Sequence, residues 1–192
     1  PHRRVPLLRR DPRHHDDAAV SGRLSLYVVT PPGLERWTAA ELAALGHSAT
    51  VAEPGGLALE GTLLEAARLN LELRIASRVL VRRARFRVRA LGELERKGSE
   101  LPWGEWLPSG GTVALRVTCR KSRLYHQGAV RERLATAIRV RTGLAPVAAA
   151  DEEQEDPSPP QLIVVRIYRD ECSISIDCSG DHLHRRGYRL AT

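Results

Sequence analysis

GGLALEGTLLEAARLNLELRIASRVLVRRARFR, residues 55–87, runs from a glycine turn through a short strand and a helix into a long second strand. Pro54-Gly55-Gly56 supplies the turn residues, and residues 57–60 are apolar enough for a strand. Thr62 followed three residues later by Glu65 is a capping box, in which each side chain takes a free amide at the head of a helix. The apolar spacing predicts that this helix presents Leu63, Ala67 and Leu71 as one stripe. Residues 79–90 alternate, so a strand is expected with Leu80, Ala84, Phe86 and Val88 on one face and Arg83, Arg85, Arg87 and Arg89 on the other. Such an arginine ladder either tracks a phosphate backbone or forms the solvated face of a two-layer fold, with Glu53, Glu60 or other carboxylates beside it.

Upstream, residues 24–30 alternate Leu24, Leu26 and Val28 with Ser25, Tyr27 and Val29, as a half-buried strand does. Thr30-Pro31-Pro32-Gly33 reads as a strand-to-helix turn. Leu34, Trp37, Leu42 and Leu45 then recur near the helical period, and Gly46 is placed to close the helix. A short strand is expected at 49–53. The order is βαββαβ, the split βαβ arrangement of ferredoxin-like folds, in the α+β class. Residues 1–22 are polar, charged and without period, and are expected to be a disordered tail.

Downstream, residues 91–108 connect, with a short helix at 94–97 and a Trp103/Trp106 pair that suits a seam between domains. Pro108-Ser109-Gly110-Gly111 marks the boundary. A second unit follows as a small α/β domain. In it, Val113, Leu115, Val117 and Cys119 alternate with polar or small residues, and a loop at 120–127 reads RKSRLYHQ. A helix over 128–142 carries Val130, Leu134 and Ile138 and is closed by Gly143; an acidic, proline-rich loop lies at 151–160. Strands at 162–168 and 172–178 form a hairpin with its tip at Asp170-Glu171. The closing stretch, CSISIDCSGDHLHRRGYR at 172–189, passes from strand to a basic segment ending in Gly187, Tyr188 and Arg189.

The formal charge of +7 comes almost entirely from arginine, with lysine only at Lys97 and Lys121. A positive excess of this kind suits a polyanion partner, because arginine pairs with phosphate bidentately and stacks on bases. The same bias also follows from G+C-rich coding. Three cysteines without a CxxC pair argue against a disulfide framework and a zinc ribbon. Cys172 and Cys178 would lie about 20 Å apart along one strand, too far to bridge. No apolar run is long enough to cross a bilayer and no signal-peptide core is present, so a cytoplasmic location without membrane contact is expected. The chain contains no methionine and stops three residues after Arg189, which leads to the expectation that it is part of a longer protein.

No phosphate-binding glycine loop, nucleophile–base set or metal-ligating cluster is apparent, so no catalytic, cofactor or metal residue is assigned. What remains is a basic surface with aromatics interleaved: the 120–127 loop, the start of the following helix and the 184–189 segment. That composition grips phosphates and stacks bases.

The segments PPGLERWTAAELAALG, GGLALEGTLLEAARLNLELRIASRVLVRRARFR, TVALRVTCRKSRLYHQGAVRERLATAI and SISIDCSGDHLHRRGYR, in this order, resemble the N-terminal half of bacterial THUMP-domain RNA methyltransferases. The most similar family is that of the 23S ribosomal RNA guanine-N2 methyltransferases. The resemblance implies a ferredoxin-like domain over 23–107, a THUMP RNA-binding domain over 108–185, and at 186–192 the start of a linker to a catalytic domain that the sequence lacks. It implies an RNA-binding role, presenting ribosomal RNA to a methyltransferase domain in cis or in trans. S-adenosylmethionine is expected for that domain and no cofactor for this chain. The alternative is the RNA-binding half of a tRNA-modifying enzyme, for guanine methylation or thiolation. The residues expected to contact RNA are Arg120, Lys121, Arg123, Tyr125, His126, Gln127, Arg131, His184, Arg185, Arg186, Tyr188 and Arg189.

Overall fold

The structure is a computed structural model that describes residues 22–107, 109–149, 159–180 and 182–183. Its strands are β1 (Leu24–Val29), β2 (Thr50–Glu53), β3 (Gly56–Gly61), β4 (Arg78–Arg87), β5 (Val113–Arg120), β6 (Val147–Ala148), β7 (Gln161–Tyr168) and β8 (Glu171–Asp177). Its helices are α1 (Glu35–Ala44), α2 (Leu63–Glu72), α3 (Leu91–Ser99), α4 (Trp103–Trp106) and α5 (Gln127–Thr142). All eight strands belong to one sheet in the order β2-β3-β1-β4-β8-β7-β5-β6. No helix among the described residues is long and apolar enough to cross a membrane.

The first four strands are antiparallel throughout, with β1 between β3 and β4 and α1 and α2 as the crossovers. This is the ferredoxin-like βαββαβ arrangement, and the fold is α+β. The capping box forms as expected: the Glu65 amide donates to Thr62 Oγ1 at 3.2 Å and the Thr62 amide to Glu65 Oε2 at 2.6 Å. A cap of this kind stabilises a helix by about 1 kcal/mol.

The buried stripe of α2 differs from the expected one. Leu63 and Leu71 are exposed, and Ala66, Leu69 and Asn70 are buried instead. Asn70 can occupy the core face because its polar atoms are satisfied. Its amide nitrogen donates to the Ala66 and Cys178 carbonyls, and its oxygen accepts from Ser179 Oγ at 2.7 Å. In α1 the buried residues are Thr38 and Leu42, whereas Leu34 and Trp37 are exposed. The Thr38 hydroxyl lies 2.7 Å from that of Thr30, so the polar pair is buried together.

On β4 the strict alternation fails at one point. Val81 faces Ile176 and Arg82 faces Ser175, but the next paired residue is Ala84, opposite Ile174, which leaves Arg83 as a bulge. The extra residue resets the phase. Val79, Val81, Ala84 and Phe86 therefore share one face, and Leu80, Arg82, Arg85 and Arg87 the other. This corrects the expected grouping of Leu80 with Ala84 and of Arg83 with Arg85. The displaced Arg83 lies on the helix-covered side, with its guanidinium 5.9 Å from the Trp106 ring.

Two apolar cores lie side by side beneath the helices. One holds Leu26, Val28, Leu57, Leu69, Val79 and Val81, and the other Leu115, Val117, Leu134, Ile163, Val165 and Ile174. Because Val81 of the first pairs directly with Ile176 of the second, both helix layers cover the same face of the sheet. The other face carries no helix among the described residues. Residues 91–107, assigned from sequence to the first unit, contribute Leu94, Trp103 and Leu107 to the second core. In the opposite sense, Leu183 is fully buried in the first core and its amide donates to the Ser77 carbonyl. Trp103 is fully buried and donates to the Gly98 carbonyl at 2.7 Å, while Trp106 meets it edge-on and lines a cavity shared with Leu63 and Val81.

In the second half, β5 pairs in parallel with β7 and with β6, a two-residue strand that the sequence does not announce. The β7–β8 hairpin turns at Arg169-Asp170, both left-handed with φ of 51° and 62°, one residue earlier than expected. Two positive φ angles define the tight turn that matches strand twist in two-residue hairpins. The acidic loop expected at 151–160 lies mostly outside the described residues.

Candidate nucleic-acid interface

The basic loop begins where β5 ends. Lys121 is left-handed, with φ of 50°, and reverses the chain immediately after the strand. Ser122 then anchors the reversal: its hydroxyl donates to the Arg120 carbonyl at 2.9 Å and accepts from the Asp170 amide at 3.0 Å. The Asp170 carboxylate receives the Arg123 amide at 2.8 Å and lies 3.4 Å from Arg89 Nε, while its carbonyl accepts from the Val88 amide. One aspartate therefore ties together the 120–123 loop, the hairpin tip and the segment that leaves β4.

This fixed backbone leaves cationic side chains outward. Arg120, Lys121 and Arg123 are exposed, and Leu124 turns inward as the loop's apolar anchor. Tyr125 and His126 follow as an exposed aromatic pair with ring centroids 4.1 Å apart. His126 is the N-cap of α5 but supplies no side-chain cap, and the first turn of the helix carries no acidic residue. The amides there are favourable to an anion, by position and by the helix dipole. Gln127 is exposed in this first turn, and Arg131, one turn further on, is partly buried. Seven of the expected contact residues thus lie on one loop and the helix it opens. The other five, His184, Arg185, Arg186, Tyr188 and Arg189, lie outside the described residues.

The helix-free face of the sheet holds a second cationic surface that sequence reading only partly identified. Arg82, Arg85 and Arg87 of β4 stand on it, and Arg166 and Tyr168 of β7 face them across β8, whose Ser173 and Ser175 form a low floor. The trough between them has a volume of about 320 Å³. Two of its arginines are paired, Arg85 with Glu171 and Arg166 with Glu53 at 2.7 Å. Arg82 lies over the Tyr27 ring at 4.4 Å, and the Tyr27 hydroxyl donates to Glu53. Burial, then the Glu53 hydrogen bond, pushes the Tyr27 hydroxyl above its usual range, and burial lowers Arg82. The signal for this face was present in β7, where Arg166 and Tyr168 alternate with buried Val165 and Ile167.

Burial pushes the Cys172 thiol up to about 12 and raises Cys119 and Cys178 as well, so none is a ready thiolate. No group of three or more His, Cys, Asp or Glu side chains is placed to hold a metal ion among the described residues.

Residues 25–80 match the RlmL ferredoxin-like domain and residues 88–177 the THUMP domain. The ribosomal RNA large subunit methyltransferase K/L of Syntrophotalea carbinolica is 33% identical over 168 residues, which cover 86% of this chain and 23% of that protein. A solved structure, a predicted N6-adenine-specific DNA methylase from Listeria monocytogenes, is similar with a TM-score of 0.71 and 32% identity, over 89% of this chain and 44% of its own. Another, SMU.472, a putative methyltransferase complexed with SAH, has a TM-score of 0.73 and 25% identity, over 88% of this chain and 45% of its own. The chain therefore spans less than a quarter of the K/L relative and under half of either solved protein. With both domains matched in succession, the chain carries an RlmL-type ferredoxin-like domain ahead of a THUMP domain.

Proposed function

We propose that this chain is the RNA-binding portion of a cytoplasmic, S-adenosylmethionine-dependent ribosomal RNA guanine-N2 methyltransferase, which presents RNA to a catalytic domain outside the chain. The observation that carries the reading is the exposed loop of Arg120, Lys121, Arg123, Tyr125 and His126 at the uncapped head of α5, within the THUMP match. Cations held on a fixed backbone take phosphates, and the adjacent aromatic pair offers a face for an unstacked base. The similarity to the K/L methyltransferase supports ribosomal RNA as the target, and SAH in the SMU.472 structure supports S-adenosylmethionine for the catalytic domain. In this reading the first domain ends within β4, because residues 91–107 pack on the second core.

Filter binding with a structured ribosomal RNA fragment at two salt concentrations tests the proposal. Affinity should fall with salt, and Arg120→Ala, Lys121→Ala and Arg123→Ala should each weaken binding. Each variant should also lower the slope of log K against log salt by about 0.7–0.9. No affinity at low salt sinks the reading, and tighter binding of tRNA than of the ribosomal fragment redirects it to a tRNA-modifying enzyme.

A further inference from the structure

We propose that the trough on the helix-free face of the sheet is a second RNA contact, one that holds the phosphodiester backbone of a single strand leading away from the 120–127 loop. The inference rests on the proposed RNA-binding role and extends it to residues that neither that loop nor α5 supplies.

Three observations carry it. First, the trough has more cations than its structure uses. Glu53 and Glu171 pair with Arg166 and Arg85, which leaves Arg82, Arg87 and Arg169 without a carboxylate partner among the described residues. Arg82 Nε is moreover buried with no hydrogen-bond partner there, so no acceptor of the fold is committed to that donor.

Second, the unpaired cations are strung out. Arg82 and Arg87 stand at opposite ends of about 15 Å of β4, at roughly 3.4 Å per residue less the bulge. No single phosphate touches both, whereas a chain of phosphates does. The lining is polar, the floor is serine, and Tyr168 lies against Arg166 and Arg169 at 5.7 and 5.2 Å. Arginine planes and a tyrosine ring beside a phosphate track are the parts that single strands use.

Third, the trough joins the loop. The Arg169 amide donates to the Arg120 carbonyl at 3.4 Å, and Asp170, the next residue, binds the loop through Ser122 and Arg123. A strand gripped by Arg120 and Arg123 that passes over the hairpin tip meets Arg169, then Arg87, then Arg82.

The test uses the 192-residue chain and two fluorescein-labelled probes: an RNA stem-loop with a single-stranded 3′ overhang, and the same stem-loop blunt. Arg87→Ala removes an exposed side chain, and Arg82→Met keeps an apolar stem over Tyr27. The double variant should bind the overhang RNA about tenfold or more weakly. Its salt slope should fall by about 1.4, at roughly 0.7 per single-strand phosphate contact. It should bind the blunt RNA nearly as the parent does. Thermal melting without RNA guards against misfolding, and if Arg82→Met alone melts low, Arg87→Ala carries the test by itself.

If the groove variants keep full affinity and slope for the overhang RNA while Arg120→Ala weakens it, the trough proposal is overturned and the RNA-binding reading stands. If the parent chain binds neither RNA at low salt, the RNA-binding reading itself fails. Adenosine monophosphate and inorganic phosphate serve as competitors. Were either bound by the parent, lost in the double variant, and accompanied by unchanged RNA affinity, the trough would be a small-phosphate site and the proposal wrong.

Discussion

Asn70 shows how a polar side chain comes to occupy a core position. It bonds within its own helix at Ala66 and across to Cys178 and Ser179 at the end of the second unit. Asn70→Ala should therefore cost about 1–3 kcal/mol, because it removes the short acceptor of the half-buried Ser179 hydroxyl and a donor to the half-buried Cys178 carbonyl. Urea denaturation should show a lower midpoint at unchanged slope. Glu65 makes a pH-dependent contribution. The Thr62 amide and hydroxyl hold its carboxyl below the ordinary carboxylate value, and the Gly55 and Gly33 amides do the same for Glu35. A folded value below the unfolded one means stabilisation that is complete at neutral pH. It fades as pH falls from about 4.3, the unfolded value, through the lowered folded one. Stability measured from pH 7 downward should drop on this acid limb, and Glu65→Gln should flatten it; an unchanged limb contradicts the assignment.

At the scale of elements, Asp170 sets the loop. Asp170→Ala leaves the backbone bonds of the hairpin tip but removes the carboxylate that holds the Arg123 amide and Arg89. Hydrogen exchange at Arg123 should quicken, and RNA affinity should fall even though a negative charge has been removed. If Asp170 did no more than repel phosphate, affinity would rise. Element patterns were legible in sequence wherever a two-residue or helical period ran unbroken: β1, β5, the capping box at Thr62 and Glu65, and the Val130, Leu134 and Ile138 stripe of α5. They misled at Arg83, since an inserted residue has no local signature, and on α2, since Asn70 is buried only by virtue of partners about a hundred residues away. The cationic loop could be read from the chain because its residues are contiguous. The trough could not, because it is assembled when β4 and β7 are brought to either side of β8.

At the scale of the molecule, β4 is the common strand, bonded to β1 on one side and to β8 on the other. A shared strand couples the two halves more firmly than a docked interface does, so unfolding should be a single transition. With Trp37 replaced by Phe, Trp103 and Trp106 report on the second core, while far-UV circular dichroism reports on both. The two signals should give superimposable urea curves, and a tryptophan transition displaced from the dichroism transition would show that the halves melt separately. The burial of Leu183 among Leu26, Val28 and Leu69 has a bearing on synthesis. A chain emerging from the ribosome makes the first core early but cannot finish it until Leu183 has left the exit tunnel. The leading half must therefore wait, incompletely sealed, for a segment made after the second core. A chain released from the ribosome after residue 177 should leave that half more open to protease than the second, whose own core residues end at Ile176.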